Sequence, residues 1–309
     1  DGNQVREGNK MKHILSVNPI AFISEDLKQG DHFMHSIFEK VCEVGAKSIV
    51  LMEEFYDVQP HLNLYKANEL KKQISQYGLR ADACWYYTDP LRAAYVSSRK
   101  EVIDQLREYV CNTAYMGAKY LLLPPGEPSP DRFRTWREAQ DDLQDLYEHV
   151  IPICEENNVV LCMEAGRNLS PLSSPRGSLD IVKRVGSPYL QVAPNGESWR
   201  IPTPDLPNGH CEAPDSGPQE PESIEFFKEL LPYSPFICGK FFDYNPETDT
   251  DPTQPVEGLC EALRNSDRQH IITVIYEGFI PEAYPERDPV EKVHQLYGML
   301  KRRLDTVDS

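Results

Sequence analysis

Short, nearly unbroken apolar runs alternate along this chain with longer segments whose apolar residues recur every three or four positions. The runs fall at 14–17, 48–52, 79–84, 119–123, 159–163, 189–193, 236–241 and 271–275. Each is too short for a helix and too continuous for a strand with one wet face, so each predicts a strand buried on both sides. The segments between them predict helices. After Asp31, a capping residue, Ile37, Phe38, Val41 and Val44 share one face and Gly45 closes the turn. Helices follow at 67–77, 98–116, 136–156, 179–185, 223–231, 256–264 and 290–304, the first two stopped by Gly78 and Gly117.

Alternation on this scale, with no linker between the runs, predicts a single α/β domain, a closed (β/α)8 TIM barrel over 11–309. An open doubly wound sheet is the runner-up, and the glycine-rich dinucleotide fingerprint expected of it is absent. Residues 1–10 are polar and read as a loose tail or expression remnant. The stretch 195–221 breaks the rhythm with prolines at 202, 204, 207, 214, 218 and 221. A segment of that length directly after a strand predicts a lid over the barrel mouth, with a solvated insertion as the plain alternative.

Composition narrows the partners. Net charge is −17, from 32 basic against 49 acidic residues, which disfavours a nucleic-acid backbone or an anionic membrane. No apolar run approaches the roughly 20 residues that span a bilayer. The eight cysteines are scattered without structural-zinc spacing, and those in predicted strands read as buried thiols of a reduced, cytoplasmic protein. Nothing in the composition speaks against a homo-oligomer.

In a (β/α)8 barrel the chemistry gathers where the strands end. The apolar run 159–163 closes on Glu164 and the run 271–275 leads to Glu277. A carboxylate at the end of a buried strand is costly unless something pairs with it, so two of them predict one shared pocket. The other strand ends add Glu53 or Glu54, Trp85, Pro124, Asn195 and Lys240. Glu53, Trp85, Asn195 and Ser198 are candidate substrate contacts, as are Arg167 and His210 in the loops. Each of these alone could equally be a solvated loop residue or, for Trp85, core.

Several stretches together resemble the xylose isomerase-like TIM barrels, the family of sugar phosphate isomerases and epimerases. They are VGAKSIVL, YGLRADA, MGAKYLLLPPG, NNVVLCMEAG, VGSPYLQV and VIYEG, in that order. The resemblance covers Met11 to about Leu304. It implies a divalent metal held by Glu, Asp, His and Glu from strands five to eight. The two glutamates carry over as Glu164 and Glu277. The strand-six aspartate falls on Asn195, the histidine three residues later on Ser198, and the strand-seven histidine on Lys240, with Asp243 keeping the end of the His-x-x-Asp pattern.

Glu164, Glu277, neutral Asn195 and protonated Lys240 carry the same net charge as the family's three carboxylates with a dication. Adding a dication about 4 Å from an ammonium would cost roughly 8 kcal/mol at an effective dielectric near 20. Lys240 therefore reads as a built-in cation in the metal's place, and no cofactor is expected. Manganese, magnesium or zinc on Glu164, Glu277 and Asn195 is the alternative.

The resemblance implies an isomerase or epimerase acting on a small carbohydrate or keto-acid by proton transfer beside a carbonyl. Glu164 and Glu277 are the acid–base pair and Lys240 the electrostatic stabiliser. Beta-elimination by a lyase needs the same groups. A sugar-binding barrel that has lost its metal site and its catalysis is the rival from another class. An endonuclease of the same superfamily is disfavoured by the acidic charge and the eight dispersed histidines.

Overall fold

The computed structural model describes residues 13–23, 33–53, 64–87, 98–126, 135–166, 172, 174–201, 220–277 and 288–304. Eight parallel strands run β1 Ile14–Val17, β2 Ser48–Met52, β3 Arg80–Trp85, β4 Tyr120–Leu123, β5 Val160–Ala165, β6 Leu190–Pro194, β7 Phe236–Phe241 and β8 Ile271–Tyr276. Each pairs with its sequence neighbour, and β1 pairs with β8. Between β6 and β7 the ladder shrinks to one parallel bridge, Asn195 with Cys238, which brings the sheet nearly to closure. The helices are α1 Phe33–Glu43, α2 Leu64–Gln76, α3 Arg99–Met116, α4 Trp136–Glu156, α5 Pro175–Val185, α6 Ile224–Leu230, α7 Val256–Arg264 and α8 Pro289–Arg303. This is the single (β/α)8 barrel expected from the apolar pattern.

Local chemistry sets the helix ends. Ser98 with Glu101 and Thr135 with Glu138 form reciprocal capping boxes at the starts of α3 and α4. Gly117 ends α3 at φ +81°, a conformation that costs a side-chain-bearing residue energy. The fifth helix starts earlier than the apolar period suggests, because Ser174 caps it and Pro175 occupies its first turn.

The core has two parts. One lies between the sheet and its helices, and the other fills the barrel with Val50, Leu122, Cys162, Ala193 and Phe236. The fifth strand runs past 163 to Ala165, so Glu164 belongs to the ladder, opposite Ala193. The stretch after β6 is not wholly irregular either: Gly196–Trp199 forms a 3₁₀ turn. The tail at 1–10 and the lid proper at 202–219 lie outside the described residues.

Candidate active site

Side chains alternate along a strand, so the residue two beyond an inward one also points inward. Cys162, Cys238 and Ile275 belong to the barrel's inner core. Two positions on lie Glu164, Lys240 and Glu277, which therefore enter the mouth from β5, β7 and the end of β8. The Lys240 ammonium stands 3.2 Å from Oε1 of Glu277. The same ammonium is 3.5 Å from Oε2 of Glu197.

Glu197 is not among the residues singled out by the strand-end pattern. It sits on the 3₁₀ turn and is 6 % exposed, against 8 % for Lys240. Two small residues make that placement. Asn195 caps the turn, its Oδ1 accepting the Glu197 backbone N–H at 3.0 Å. Gly196 lets the turn press onto β7, where a Cβ would fall 2.9 Å from the Lys240 backbone nitrogen. Any larger residue would push Glu197 away from Lys240.

Asn195 has a second task. Its Nδ2 donates to Oε1 of Glu164 at 2.6 Å, joining the ends of β5 and β6. Glu164 keeps some accessible surface, but its carboxyl is set deep, and burial pushes its pKa up to about 7. The Lys240 charge and the Asn195 bond oppose that rise, and the negative charges of Glu197 and Glu277 add to it. Three carboxylates and one ammonium give a formal charge of −2, which a proton on Glu164 reduces to −1. The charge balance drawn without Glu197 is thus short by one acid.

The remaining candidates scatter. Glu53 accepts the Tyr87 backbone N–H at 3.0 Å, tying the ends of β2 and β3. Ser198 donates to the Gly166 carbonyl at 3.2 Å, fastening the 3₁₀ turn to β5. Trp85 is 4 % exposed within the inner core, more floor than platform. Arg167, His210 and Glu54 lie outside the described residues. Asp243 pairs with Lys292 of α8 at 3.1 Å.

The donor set does not fit a divalent ion. Glu197 and Glu277 already face an ammonium, and a dication there would meet it across a few ångströms. Among the described residues no group of three or more His, Cys, Asp or Glu has metal-holding geometry. Among the described residues, too, no helix is long and apolar enough to cross a membrane.

No curated protein matches the chain in sequence. Solved structures do match its fold. A D-psicose 3-epimerase with D-tagatose from Clostridium cellulolyticum H10 is 11 % identical, with 95 % of this chain and 100 % of that one covered at a TM-score of 0.66. A xylose isomerase-like TIM barrel protein from Mycobacterium smegmatis in complex with magnesium is 12 % identical, covering 95 % and 98 %, with a TM-score of 0.60. A probable 3-DHS dehydratase, AsbF, from Bacillus anthracis is 11 % identical, covering 94 % and 99 %, with a TM-score of 0.61. The family description "Xylose isomerase-like TIM barrel" matches residues 38–195, which is half of the sequence, and the chain belongs to that family.

Proposed function

We propose that this barrel moves a proton beside the carbonyl of a small hydroxy-carbonyl carbohydrate, as an isomerase or epimerase that uses Lys240 where relatives use a metal. One observation carries the reading: a buried ammonium held by two carboxylates, next to a third carboxyl with a pKa of about 7. A group that exchanges its proton near neutrality is the efficient general base there.

Glu164 takes the proton from the carbon next to the carbonyl. The electron pair of that C–H bond forms the new carbon–carbon double bond, the carbonyl π pair moves onto oxygen, and the resulting enediolate develops its charge toward Lys240. The Glu277 carboxylate, in contact with the same ammonium, takes the proton of the neighbouring hydroxyl and delivers it to carbon or to oxygen, and Glu164 then gives up the proton it took, so that both acids end as they began. Asn195 fixes the direction of the Glu164 carboxyl, and Glu197 holds Lys240 in place. The structural likeness to a dehydratase supports a second outcome from the same start, in which the enediolate expels a β-hydroxyl instead of being reprotonated.

The test is hydrogen exchange, because it reads the first step common to both outcomes. A panel of ketoses and keto-acid sugars is incubated in deuterium oxide and followed by proton NMR. At least one should lose the signal of the carbon-bound proton beside its carbonyl, and Glu164→Gln should abolish the loss. No exchange anywhere in the panel would favour the non-catalytic sugar-binding barrel.

A further inference from the structure

The inner wall below Lys240 carries polar atoms that the mechanism above does not use. In an eight-stranded barrel, alternate strands contribute four side chains to each interior layer. The strand registers and the inward alternation place Asn18, Trp85, Glu164 and Cys238 in one such layer, from β1, β3, β5 and β7. Asn18 follows β1, and its backbone N–H continues the ladder to Val274. The closeness of Glu164 to Cys238 appears independently, since the carboxylate charge acts on the thiol. Thr273 enters from β8 in the layer just beneath.

Three of these side chains present buried polar atoms with no hydrogen-bond partner among the described residues: Asn18 Nδ2, Trp85 Nε1 and Thr273 Oγ1. All three residues are at most 4 % exposed. The orientation of the Asn18 amide is fixed, because its Oδ1 accepts the Ile20 N–H at 2.9 Å, leaving Nδ2 as the end without a partner. Buried donors are seldom left unpaired, and here two of them share one level of the barrel with Glu164 while Thr273 lies just beneath it.

We propose that Asn18, Trp85 and Thr273 form a donor floor that receives the carbonyl oxygen of the substrate. The inference rests on the proton-transfer reading, since a molecule reaching Glu164 occupies the same layer. Two of the three groups only donate, so they select an oxygen that accepts without bringing a proton. The surrounding wall is largely apolar, the polar chain Ser16–Ser48–Asp82 runs across β1 to β3, and among the described residues the mouth above carries the carboxylates of Glu164, Glu197 and Glu277 against one ammonium. A carboxylate end would be repelled from that floor. The substrate is therefore a neutral ketose or aldose, and a keto-acid sugar is excluded. During enolisation the same donors share the charge that forms on the carbonyl oxygen.

The test needs no turnover, so it separates this proposal from the proposed activity. Binding of dihydroxyacetone, glycerol and hydroxypyruvate is measured by NMR titration, and thermal stability is measured without ligand. Dihydroxyacetone should bind, and the alcohol and the acid should each bind about tenfold more weakly, the size of one good hydrogen bond. Thr273→Val keeps the shape and removes an unpaired hydroxyl, so it should raise the melting temperature while weakening dihydroxyacetone about tenfold. Trp85→Phe should weaken it similarly. No binding of dihydroxyacetone to the native chain, a preference for hydroxypyruvate, or unchanged affinity in Thr273→Val would each overturn the donor floor. Loss of deuterium exchange with this binding pattern intact would instead sink the catalytic reading alone.

Discussion

Asn195 and Glu164 are joined by a 2.6 Å hydrogen bond between the mouth ends of neighbouring strands, the amide donating and the carboxyl accepting. The bond works only with an amide on β6. An aspartate there would set two acids face to face, and one of them would have to keep a proton. In the function proposed above, Asn195 belongs with Lys240 as one solution: an ammonium would supply the positive charge, and an amide would take the place of an acid that such a charge cannot offset.

Glu164 should give the site a measurable pH signature. Its pKa rises from 4.5 to about 7 on folding, so the folded state favours the protonated form. Stability from this group is complete below the unfolded value near 4.5 and is lost as pH rises toward 7, by about 3 kcal/mol in all. Glu164→Gln should thus raise the melting temperature more at pH 8 than at pH 5. In the native chain, exchange activity should climb through pH 7 as the base is freed. An equal effect of the substitution at both pH values would show that the carboxyl is not held protonated.

Lys240→Met should act in the opposite direction. It leaves Glu197 and Glu277 buried without their shared cation, and breaking a buried pair in this way costs about 3–5 kcal/mol. Urea denaturation at neutral pH should show that loss. Adding Glu197→Gln to the same protein should recover part of it, because one of the two stranded charges is gone. Additive losses in the double variant would mean that Glu197 and Lys240 are not coupled.

These sites differ in how far the sequence exposes them. Glu164, Lys240 and Glu277 are legible because each follows an apolar run by the spacing that turns it inward, a property of the strand itself. Glu197 is not legible in that way. It lies on a 3₁₀ turn in a proline-rich stretch with no period, and it reaches Lys240 only because β6 and β7 come together at the barrel seam. The one local signal is Asn195-Gly196, a capping amide followed by a residue able to approach another backbone closely. Trp85 shows the converse. Its place at a strand end marks it as a pocket residue, but only the packed interior reveals an indole N–H with no partner among the described residues.

Far from the mouth, His270 should set the acid limit of the fold. Its Nδ1 donates to the Ser234 carbonyl at 2.6 Å and its Nε2 accepts from the Ser266 hydroxyl at 2.7 Å, a pattern that suits the neutral ring. Burial pushes its pKa down to about 4, with the neighbouring His13 adding to the effect. Because the folded value is depressed, stability is complete above the unfolded value near 6.5 and declines as pH falls from there toward 4, by about 3 kcal/mol. Denaturation curves for the native chain and His270→Gln should converge between pH 7 and pH 5. Parallel curves would place the acid sensitivity elsewhere.

The last prediction tests the substitution of lysine for metal directly. In the native chain, manganese, zinc and magnesium should bind weakly, and chelator should leave the melting temperature unchanged. The reason is the ammonium, which already occupies the space between Glu197 and Glu277. Replacing Lys240 with His removes that charge and supplies a neutral nitrogen ligand. Replacing Asn195 with Asp adds the acid next to Glu164 that a dication would offset. The double variant should take up one divalent ion in calorimetric titration, its melting temperature rising with metal and falling with chelator. Each single variant should gain little, because Lys240→His alone lacks an acid and Asn195→Asp alone keeps the ammonium. Stoichiometric metal on the native chain, lost in Glu164→Gln, would refute the exchange and return Lys240 to a role in contacting substrate.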